Sequence, residues 1–212
     1  MDLFSHIDTG PQTIIRDHGE AIFWSALFAR DEADALQRTL TDTLPWRQDE
    51  LRIMGKAIAV PRLQCWLGDA GTFYSYSGID LDPLPWTPEL RHIRERVEPL
   101  AGTTFNSVLV NLYRDQHDHV SWHADDERGL GQNPVIASVS LGATRTFQLK
   151  RKGGSREHPA AIHSIDLTHG SMLLMRGELQ HEWLHRLRKQ TQAAGPRLNL
   201  TFRVIHPELQ QR

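Results

Sequence analysis

The tetrapeptide Trp122-His123-Ala124-Asp125 places an imidazole and a carboxylate two residues apart. In an extended chain, side chains two residues apart point to the same side, so His123 and Asp125 can grip one ion. Two histidines and one carboxylate on one face of a metal leave positions open, as in non-haem iron(II) sites. The third ligand must come from far along the chain, and His181 and His185 are both candidates.

The same stretch contains the pattern His181-Glu182-x-x-His185, which is a literal zinc-hydrolase motif. That chemistry requires both histidines on one helix, with Glu208 as the available third ligand. The zinc alternative leaves His123 and Asp125 without a role. A helix here would carry an apolar stripe formed by Leu179, Trp183, Leu184 and Leu187.

Polar and apolar residues alternate along Arg197–Arg203, which predicts a strand with two different faces. Two arginines that face the interior of a β-scaffold need anions there, because a buried unpaired guanidinium is costly. A dicarboxylate such as 2-oxoglutarate supplies those anions through bidentate hydrogen bonds. The alternative is an ordinary amphipathic strand whose arginines lie in solvent. The polar face consists of Arg197, Asn199, Thr201 and Arg203, and Asn111 and Tyr113 share a face by the same rule.

Two helices are predicted before these motifs. The first runs from about Asp31 to Thr43, with Asp31 as the N-cap. The second begins at Thr87-Pro88, a capping residue followed by proline at the first helical position. The predicted apolar stripes are Leu36, Leu40 and Leu44 in the first helix and Leu90, Ile93, Val97 and Leu100 in the second.

After Ala101 the pattern changes to short β-rich runs separated by Asn-Pro, Gly-Gly and His-Gly steps. Several short strands with turn signals favour an antiparallel sandwich or barrel. The N-terminal third is therefore predicted to be helical and mixed, and the C-terminal half to be a β-scaffold. The predicted strands are Ser107 to Tyr113, Val135 to Leu141, Arg145 to Lys150, Ala161 to Leu167, Met172 to Met175 and Leu198 to Ile205.

Composition sets broad limits on the class of protein. The chain has 212 residues, a net charge of −2 and one cysteine, which predicts a single domain without an intrachain disulfide or a cysteine-based zinc site. No apolar run approaches the ~20 residues of a membrane helix, and the first 20 residues lack a secretory pattern. We therefore expect a cytoplasmic protein that does not enter membranes. Because the chain as a whole is not basic, nucleic-acid binding would have to use local clusters, namely Arg52, Lys56 and Arg62, then Lys150, Arg151, Lys152 and Arg156, then Arg186, Arg188 and Lys189.

Together these elements resemble the AlkB family of DNA and RNA dealkylases, over a region from about Gly55 to Ile205. The resemblance is closest to the branch that acts on double-stranded DNA, as judged from the Gly-Asp-Ala-Gly and Asp-Asp-Glu stretches. The matching motifs, in order, are Val60-Pro61-Arg62, Gly68-Asp69-Ala70-Gly71, Tyr74-Ser75-Tyr76-Ser77-Gly78, Asn111-Leu112-Tyr113, His123-Ala124-Asp125-Asp126-Glu127, Ser138-Val139-Ser140-Leu141-Gly142-Ala143, His169-Gly170-Ser171, His185 and Arg197 to Arg203.

The resemblance implies a mixed α/β, mainly β fold with a double-stranded β-helix (jelly-roll) core. Residues 1–212 would form one domain, in which about 1–105 supply N-terminal helices and a nucleotide-recognition lid and about 106–206 supply the catalytic core. It implies iron(II) and 2-oxoglutarate as cofactors and O₂ as cosubstrate. The iron ligands would be His123, Asp125 and His185, and the 2-oxoglutarate contacts would be Asn111, Tyr113, Arg197, Asn199, Thr201 and Arg203.

The resemblance also assigns a substrate end, where an extruded base is held between flat groups. Tyr76 resembles the aromatic plate opposite His123, and Tyr74 and Glu127 resemble groups that hydrogen-bond the base. Asp126 and Arg62 resemble a supporting ion pair near the DNA. The segment Ile53-Met54-Gly55 occupies the place of an apolar finger that fills the vacated stack, although methionine replaces the bulky aromatic residue of duplex-specialised relatives.

The function implied is oxidative dealkylation of N-alkylated bases, such as 1-methyladenine and 3-methylcytosine, with release of formaldehyde, succinate and CO₂. The expected partner of the monomeric enzyme is alkylated DNA, single- or double-stranded. The alternatives are a dioxygenase acting on RNA or protein, the zinc hydrolase, and a jelly-roll binding module that has kept the fold without the reaction. Retention of all candidate ligands and both arginines argues against that last alternative.

Overall fold

The computed structural model of the chain describes residues 10–53, 56–76, 79–154 and 160–209. The α-helices within these ranges are α1 (Arg30–Thr43), α2 (Pro88–Ala101) and the four-residue α3 (Leu179–Glu182). The strands are β1 (Gln12–Ile15), β2 (Glu20–Trp24), β3 (Glu50–Ile53), β4 (Lys56–Ala59), β5 (Leu63–Gly68), β6 (Tyr74–Tyr76), β7 (Ile79–Leu81), β8 (Ser107–Tyr113), β9 (Val120–His123), β10 (Ile136–Gly142), β11 (Arg145–Arg151), β12 (Ile162–Leu167), β13 (Ser171–Arg176), β14 (Trp183–Leu187) and β15 (Arg197–Arg203).

Two antiparallel sheets form the scaffold. The major sheet has seven strands in the order β1-β2-β13-β10-β15-β8-β5, and the minor sheet has four in the order β12-β11-β14-β9. Apolar side chains of both sheets meet in one buried cluster, for example Ile136 and Leu173 from the major sheet with Leu149 and Ile165 from the minor sheet. The chain therefore has the mainly β, jelly-roll-like core that the family resemblance implies. The hairpins β3–β4 and β6–β7 lie outside these two sheets.

The two faces of β15 have different environments, as the alternation in its sequence predicts. Leu198, Leu200 and Phe202 are fully buried in a second apolar cluster that also contains Leu40 of α1 and Ile93 of α2. Helices α1 and α2 thus cover the outer face of the major sheet. The other face of β15 points between the sheets, and it presents Arg197, Asn199, Thr201 and Arg203 to a cavity.

Helix α2 begins as predicted, because the Thr87 hydroxyl accepts a hydrogen bond from the Leu90 amide at 3.3 Å. Its predicted stripe is right except for Leu100, which is 37% exposed. Four residues after Val97 the helix buries Ala101 instead. Helix α1 begins one residue before the predicted start, with Ala29 at the N-cap. The prediction of Asp31 as cap is wrong, because Asp31 lies in the first turn, where its charge faces the positive end of the helix dipole.

All six predicted strands are present, with ends shifted by at most two residues. The sequence reasoning missed β1, β2 and β5, which come from the first 105 residues and yet belong to the major sheet. Strand β5 is buried from Gln64 to Gly68, so it lacks the alternation that marks a half-exposed strand. None of the described helices is long and apolar enough to span a membrane.

Candidate active site

Three side chains converge at one end of the cavity between the sheets. Strand β9 ends at His123, and the pairing of β14 with β9 places His185 directly opposite. Asp125 follows two residues after His123, and its Oδ1 lies 3.8 Å from His123 Nε2. The ligand atoms of His123, Asp125 and His185 all lie within 4.8 Å of one another. This is a two-histidine, one-carboxylate donor set that leaves coordination positions open for other ligands.

Surrounding contacts orient His123 and set the protonation of His185 and Asp125. His123 Nδ1 lies 2.8 Å from the Ser121 carbonyl oxygen, which leaves Nε2 as the atom facing Asp125. Burial, with His123 beside it, lowers the pKa of His185 to about 3, so this imidazole is neutral at physiological pH. Burial opposes ionisation of Asp125, but the charge and hydrogen bond of the Arg203 guanidinium hold the pKa of Asp125 well below its usual range. His185 and Asp125 are therefore ready to coordinate a metal without first losing a proton.

The zinc-hydrolase motif is not formed. Helix α3 ends at Glu182, and the chain continues as β14, so His181 lies on a helix and His185 on a strand. His181 is exposed, and its Nε2 accepts a hydrogen bond from the Asn133 amide at 3.2 Å. Glu208, the third candidate ligand, pairs with His206 at 3.3 Å in the C-terminal segment. The alternative of a zinc hydrolase is therefore wrong, since one helix does not carry both histidines.

Arg197 lies at the end of the cavity opposite the cluster of His123, Asp125 and His185. It is 1% exposed, and its Nη2 donates to the Ser140 hydroxyl at 2.9 Å. Its Nε and Nη1 are buried without a hydrogen-bond partner. Burial lowers the pKa of Arg197 to about 10, so the group remains charged at neutral pH. A buried guanidinium with two unused donors beside a cavity suits an anion, and a carboxylate fits its fork.

Neighbouring strands supply the other residues around Arg197. We call this set, which lines the end of the cavity by Arg197, the cradle. Strand β8 pairs with β15 so that Tyr113 faces Arg197 and Asn111 faces Asn199. The Arg197 guanidinium carbon lies 5.3 Å from the centre of the Tyr113 ring. Asn199 Nδ2 donates to the Ser138 hydroxyl at 2.8 Å, which fixes its amide against β10. The six predicted contacts, Asn111, Tyr113, Arg197, Asn199, Thr201 and Arg203, all line the cavity that contains the three ligand candidates.

The two arginines of β15 serve different ends of the cavity. Arg203 Nη2 donates to Asp125 Oδ2 at 2.7 Å, and both side chains are about 5% exposed. Arg203 therefore belongs to the metal end, while Arg197, six residues earlier on the same strand, lies by Tyr113. This arrangement suits a dicarboxylate that extends from the metal to Arg197.

The predicted substrate residues are only partly brought together. Glu127 and Arg62 line the same cavity as the ligand candidates. The predicted ion pair of Arg62 with Asp126 is wrong, because Asp126 pairs with Lys152 at 3.3 Å and Arg62 Nε donates to Asn111 Oδ1 at 2.9 Å. The backbones of Tyr74 and Tyr76 form β6 and that of Ile53 ends β3. The side chains of Ile53, Tyr74 and Tyr76, together with all of Met54 and Gly55, lie outside the described residues.

Sequence reasoning missed Arg145, which is fully buried behind the cradle. Its guanidinium donates to the carbonyl oxygens of Asp115, Asp118 and Arg188 at 2.8 to 2.9 Å. These bonds join the loop that follows Tyr113 at the end of β8 to the loop that follows Leu187 at the end of β14. The signal was present, because Arg145 alternates with Phe147 and Leu149 on the inward face of its strand.

The chain belongs to the 2OG-Fe(II) oxygenase superfamily, whose family model matches residues 21–203. It is 42% identical over 182 residues to human alpha-ketoglutarate-dependent dioxygenase alkB homolog 3, covering 84% of this chain and 63% of that protein. It is 40% identical over 197 residues to human DNA oxidative demethylase ALKBH2, covering 90% of this chain and 76% of that protein. The chain thus spans somewhat less than two thirds of the length of the first of these relatives.

A solved structure titled "The structure of OsALKBH1" has the same fold, with a TM-score of 0.62 at 17% identity over 92% of this chain and all of that one. The superfamily uses Fe(II) and 2-oxoglutarate, and the residues present fit both groups. Two imidazoles and the ionised aspartate suit a divalent iron, and the two unused donors of Arg197 suit a carboxylate. The predicted cofactors are confirmed by this family membership.

Proposed function

We propose that this protein removes alkyl groups from N-alkylated bases in DNA by iron- and 2-oxoglutarate-dependent oxidation. The observation that carries the proposal is the single cavity in which the His123, Asp125 and His185 cluster faces the unused donors of Arg197. A metal and a dicarboxylate bound there would be neighbours, as the chemistry of the superfamily requires. The substrate class is inferred from a relative named DNA oxidative demethylase, which is 40% identical to this chain.

The polar residues of the cavity divide into a metal-binding group and a dicarboxylate-binding group in this proposal. His123, Asp125 and His185 hold Fe(II), and Arg203 keeps Asp125 ionised and oriented. When bound, Fe(II) with 2-oxoglutarate and O₂ supplies the oxidation of the N-alkyl carbon, yielding succinate, CO₂, formaldehyde and the restored base. Arg197 binds the 2-oxoglutarate carboxylate farther from the metal. Asn111, Tyr113, Asn199 and Thr201 shape the walls that orient the dicarboxylate.

The mouth of the cavity is the place for the base. Glu127 lines the cavity beside the metal cluster, so a carboxylate faces the position of the substrate. Base alkylation at the 1-position of adenine or the 3-position of cytosine gives a cation, which a nearby carboxylate attracts. In the proposal, Tyr74 and Tyr76 hold the extruded base and the Ile53-Met54-Gly55 segment enters the duplex. Asp126 and Arg62 act separately, since each has its own partner.

The test is a panel of oligonucleotides carrying 1-methyladenine or 3-methylcytosine in single-stranded DNA, double-stranded DNA and RNA. We expect mass spectrometry to show loss of one methyl group from DNA, with formaldehyde and succinate formed in equal amounts. The matched control is His185→Ala, which should leave every substrate unchanged. Demethylation confined to RNA would reject the DNA assignment. Succinate formation with no change in any oligonucleotide would reject a nucleic-acid substrate and favour a protein substrate.

A further inference from the structure

Asp125 lies just beyond the end of β9, where strand pairing no longer supports the backbone. Its amide instead donates a hydrogen bond to Gln180 Oε1 at 2.9 Å. Gln180 is 1% exposed and lies on α3, and its Nε2 is 3.7 Å from the sulfur of Met175. Because a backbone N–H can only donate, the orientation of the Gln180 amide is fixed, with oxygen toward Asp125 and nitrogen toward sulfur.

We propose that Gln180 is a positioning residue for the metal site, which holds the backbone of Asp125 so that the carboxylate stays within reach of both histidines. The inference rests on the proposed function, in which Asp125 is an iron ligand. Asp125 is then held at two points. Arg203 binds its carboxylate at 2.7 Å, and Gln180 binds its backbone. Gln180 is outside the donor cluster, so it acts on the metal only through Asp125.

The short segment that contains Gln180 also leads to a metal-ligand candidate, His185. Helix α3 leads directly into β14, so Gln180 lies five residues before His185. Lys152 ties this segment to the metal-binding loop, since its Nζ lies 3.1 Å from the Gln180 carbonyl oxygen and 3.3 Å from Asp126 Oδ2. Its backbone amide also donates to the Glu182 carbonyl at 2.7 Å. The segment that resembles a zinc motif in the sequence therefore braces the loop on which Asp125 lies.

Removing the Gln180 acceptor would leave a buried N–H without a partner, directly behind a metal ligand. Contacts that orient metal ligands typically change metal affinity by roughly 10- to 100-fold when they are lost. Gln180→Met keeps a similar size and removes the oxygen. Gln180→Glu keeps an oxygen acceptor at the same distance from the backbone. Comparing the two variants separates the effect of losing the hydrogen bond from the effect of changing the side chain's volume.

The experiment is titration of metal-free protein with Co(II), followed by visible absorption, without 2-oxoglutarate or nucleic acid. We expect Gln180→Met to bind Co(II) roughly 10- to 100-fold more weakly than wild type, with a changed absorption band. Gln180→Glu should restore affinity to within a few-fold. The matched control is His181→Ala, which changes the adjacent exposed residue and should bind like wild type. Equal affinity and spectrum for Gln180→Met and wild type would overturn the proposal, as would an equal loss in Gln180→Glu.

A second measurement decides the matter if Gln180→Met does not fold. In nitrogen-15 NMR spectra of metal-free protein, the Asp125 amide proton of Gln180→Glu should move downfield relative to wild type, because a carboxylate is the stronger acceptor. An unchanged Asp125 resonance would overturn the contact. The outcomes also separate this inference from the proposed function. If wild-type protein binds no Co(II), both the metal site and the positioning role of Gln180 are rejected. If Gln180→Met binds Co(II) normally, only the positioning role of Gln180 is rejected.

Discussion

His185 on β14 lies directly opposite His123 on β9, with ring centroids 4.2 Å apart. Side chains of a strand alternate between faces, so a shift of one residue in this pairing would turn one imidazole away from the other. The pairing of the minor sheet therefore sets the distance between the two histidines. Phe147 stacks on His185 at 5.3 Å and keeps that ring in place from the β11 side.

The first prediction concerns the metal cluster. We expect His123→Ala, Asp125→Ala and His185→Ala each to abolish 2-oxoglutarate turnover, because each removes one donor of a three-residue cluster. Succinate formation measures the loss. His181→Ala is the control, and it should keep most of the activity because His181 faces Asn133. An active His185→Ala together with an inactive His181→Ala would show that the wrong histidine has been assigned.

The second prediction concerns the distal carboxylate of 2-oxoglutarate. Arg197→Ala should weaken 2-oxoglutarate binding by about 2 kcal/mol or more, because charge-assisted hydrogen bonds to a carboxylate are lost. Arg197→Lys should recover only part of the affinity, since an ammonium keeps the charge without the fork. Anaerobic calorimetry measures both. Arg176→Ala is the control, because Arg176 pairs with Glu20 in a half-exposed ion pair outside the cavity. Unchanged affinity in Arg197→Ala would reject the cradle.

Arg203 should behave differently from Arg197. Since Arg203 binds Asp125 at 2.7 Å, Arg203→Ala should weaken both 2-oxoglutarate binding and Co(II) binding. Arg197→Ala should leave Co(II) binding intact, because Arg197 lies at the other end of β15. Parallel titrations of the two variants with Co(II) and with 2-oxoglutarate check this division. Equal effects of both variants on Co(II) would contradict the assignment of Arg203 alone to the metal end.

Another prediction concerns Cys65, the single cysteine, which is buried in β5. Burial raises the pKa of the Cys65 thiol to about 12, and its sulfur donates to the Pro45 carbonyl at 3.0 Å. Because the thiolate is the reactive form, native protein should not react with a disulfide reagent at pH 8. Unfolded protein should react with one equivalent. Complete labelling of the native protein would contradict the burial.

The same shift predicts a pH dependence of stability. The folded-state pKa of Cys65 lies above its unfolded value, so burial of the neutral thiol stabilises the fold below about pH 8.5. That contribution is lost as the pH rises toward the folded-state value. Urea titrations should therefore show the free energy of unfolding falling more steeply above about pH 8.5 in wild type than in Cys65→Ala. Identical slopes would contradict the shift.

The last prediction concerns Met54, which lies outside the described residues. In the proposed function its side chain fills the gap left by a flipped base, and this offsets part of the few kcal/mol of unstacking. Met54→Ala should therefore lower repair of a methylated duplex and spare the same lesion in a single strand. Initial rates on the two substrates measure the ratio. Equal losses on both, with a lowered melting temperature, would place Met54 in the protein's own core.

Local sequence patterns were sufficient to predict elements that have one polar and one apolar face, or a capping residue at their start. The alternation of polar and apolar residues along Arg197–Arg203 predicts which side chains share a face. In the structure the four polar side chains of that face, at 197, 199, 201 and 203, line the cavity. The Thr87-Pro88 signal likewise predicts the start of α2, because capping depends on residues that are adjacent in sequence. Placement of His123 and Asp125 on one side of extended chain follows from the same local rule.

Contacts between distant residues could not be derived in this way. The bond between Arg203 and Asp125 joins residues 78 positions apart, and it depends on how the two sheets face each other. The pairing of Asp126 with Lys152 rather than Arg62 depends on where β11 ends. The zinc-like motif was ambiguous for a related reason. Its residues are compatible with a helix, and only packing turns the chain into a strand at Trp183.

The N-terminal hairpin has a consequence for solubility. Strand β2 pairs with the buried strand β13 along its whole length, from Glu20 to Trp24. The backbone hydrogen-bonding groups on that side of β13 are therefore covered by β2. Without β1 and β2, β13 would become an open edge rich in leucine and methionine, which is a template for pairing with other molecules. The hairpin thus covers this edge of the oxygenase scaffold, and we expect a shortened form that begins after Trp24 to be more prone to self-association than the whole chain.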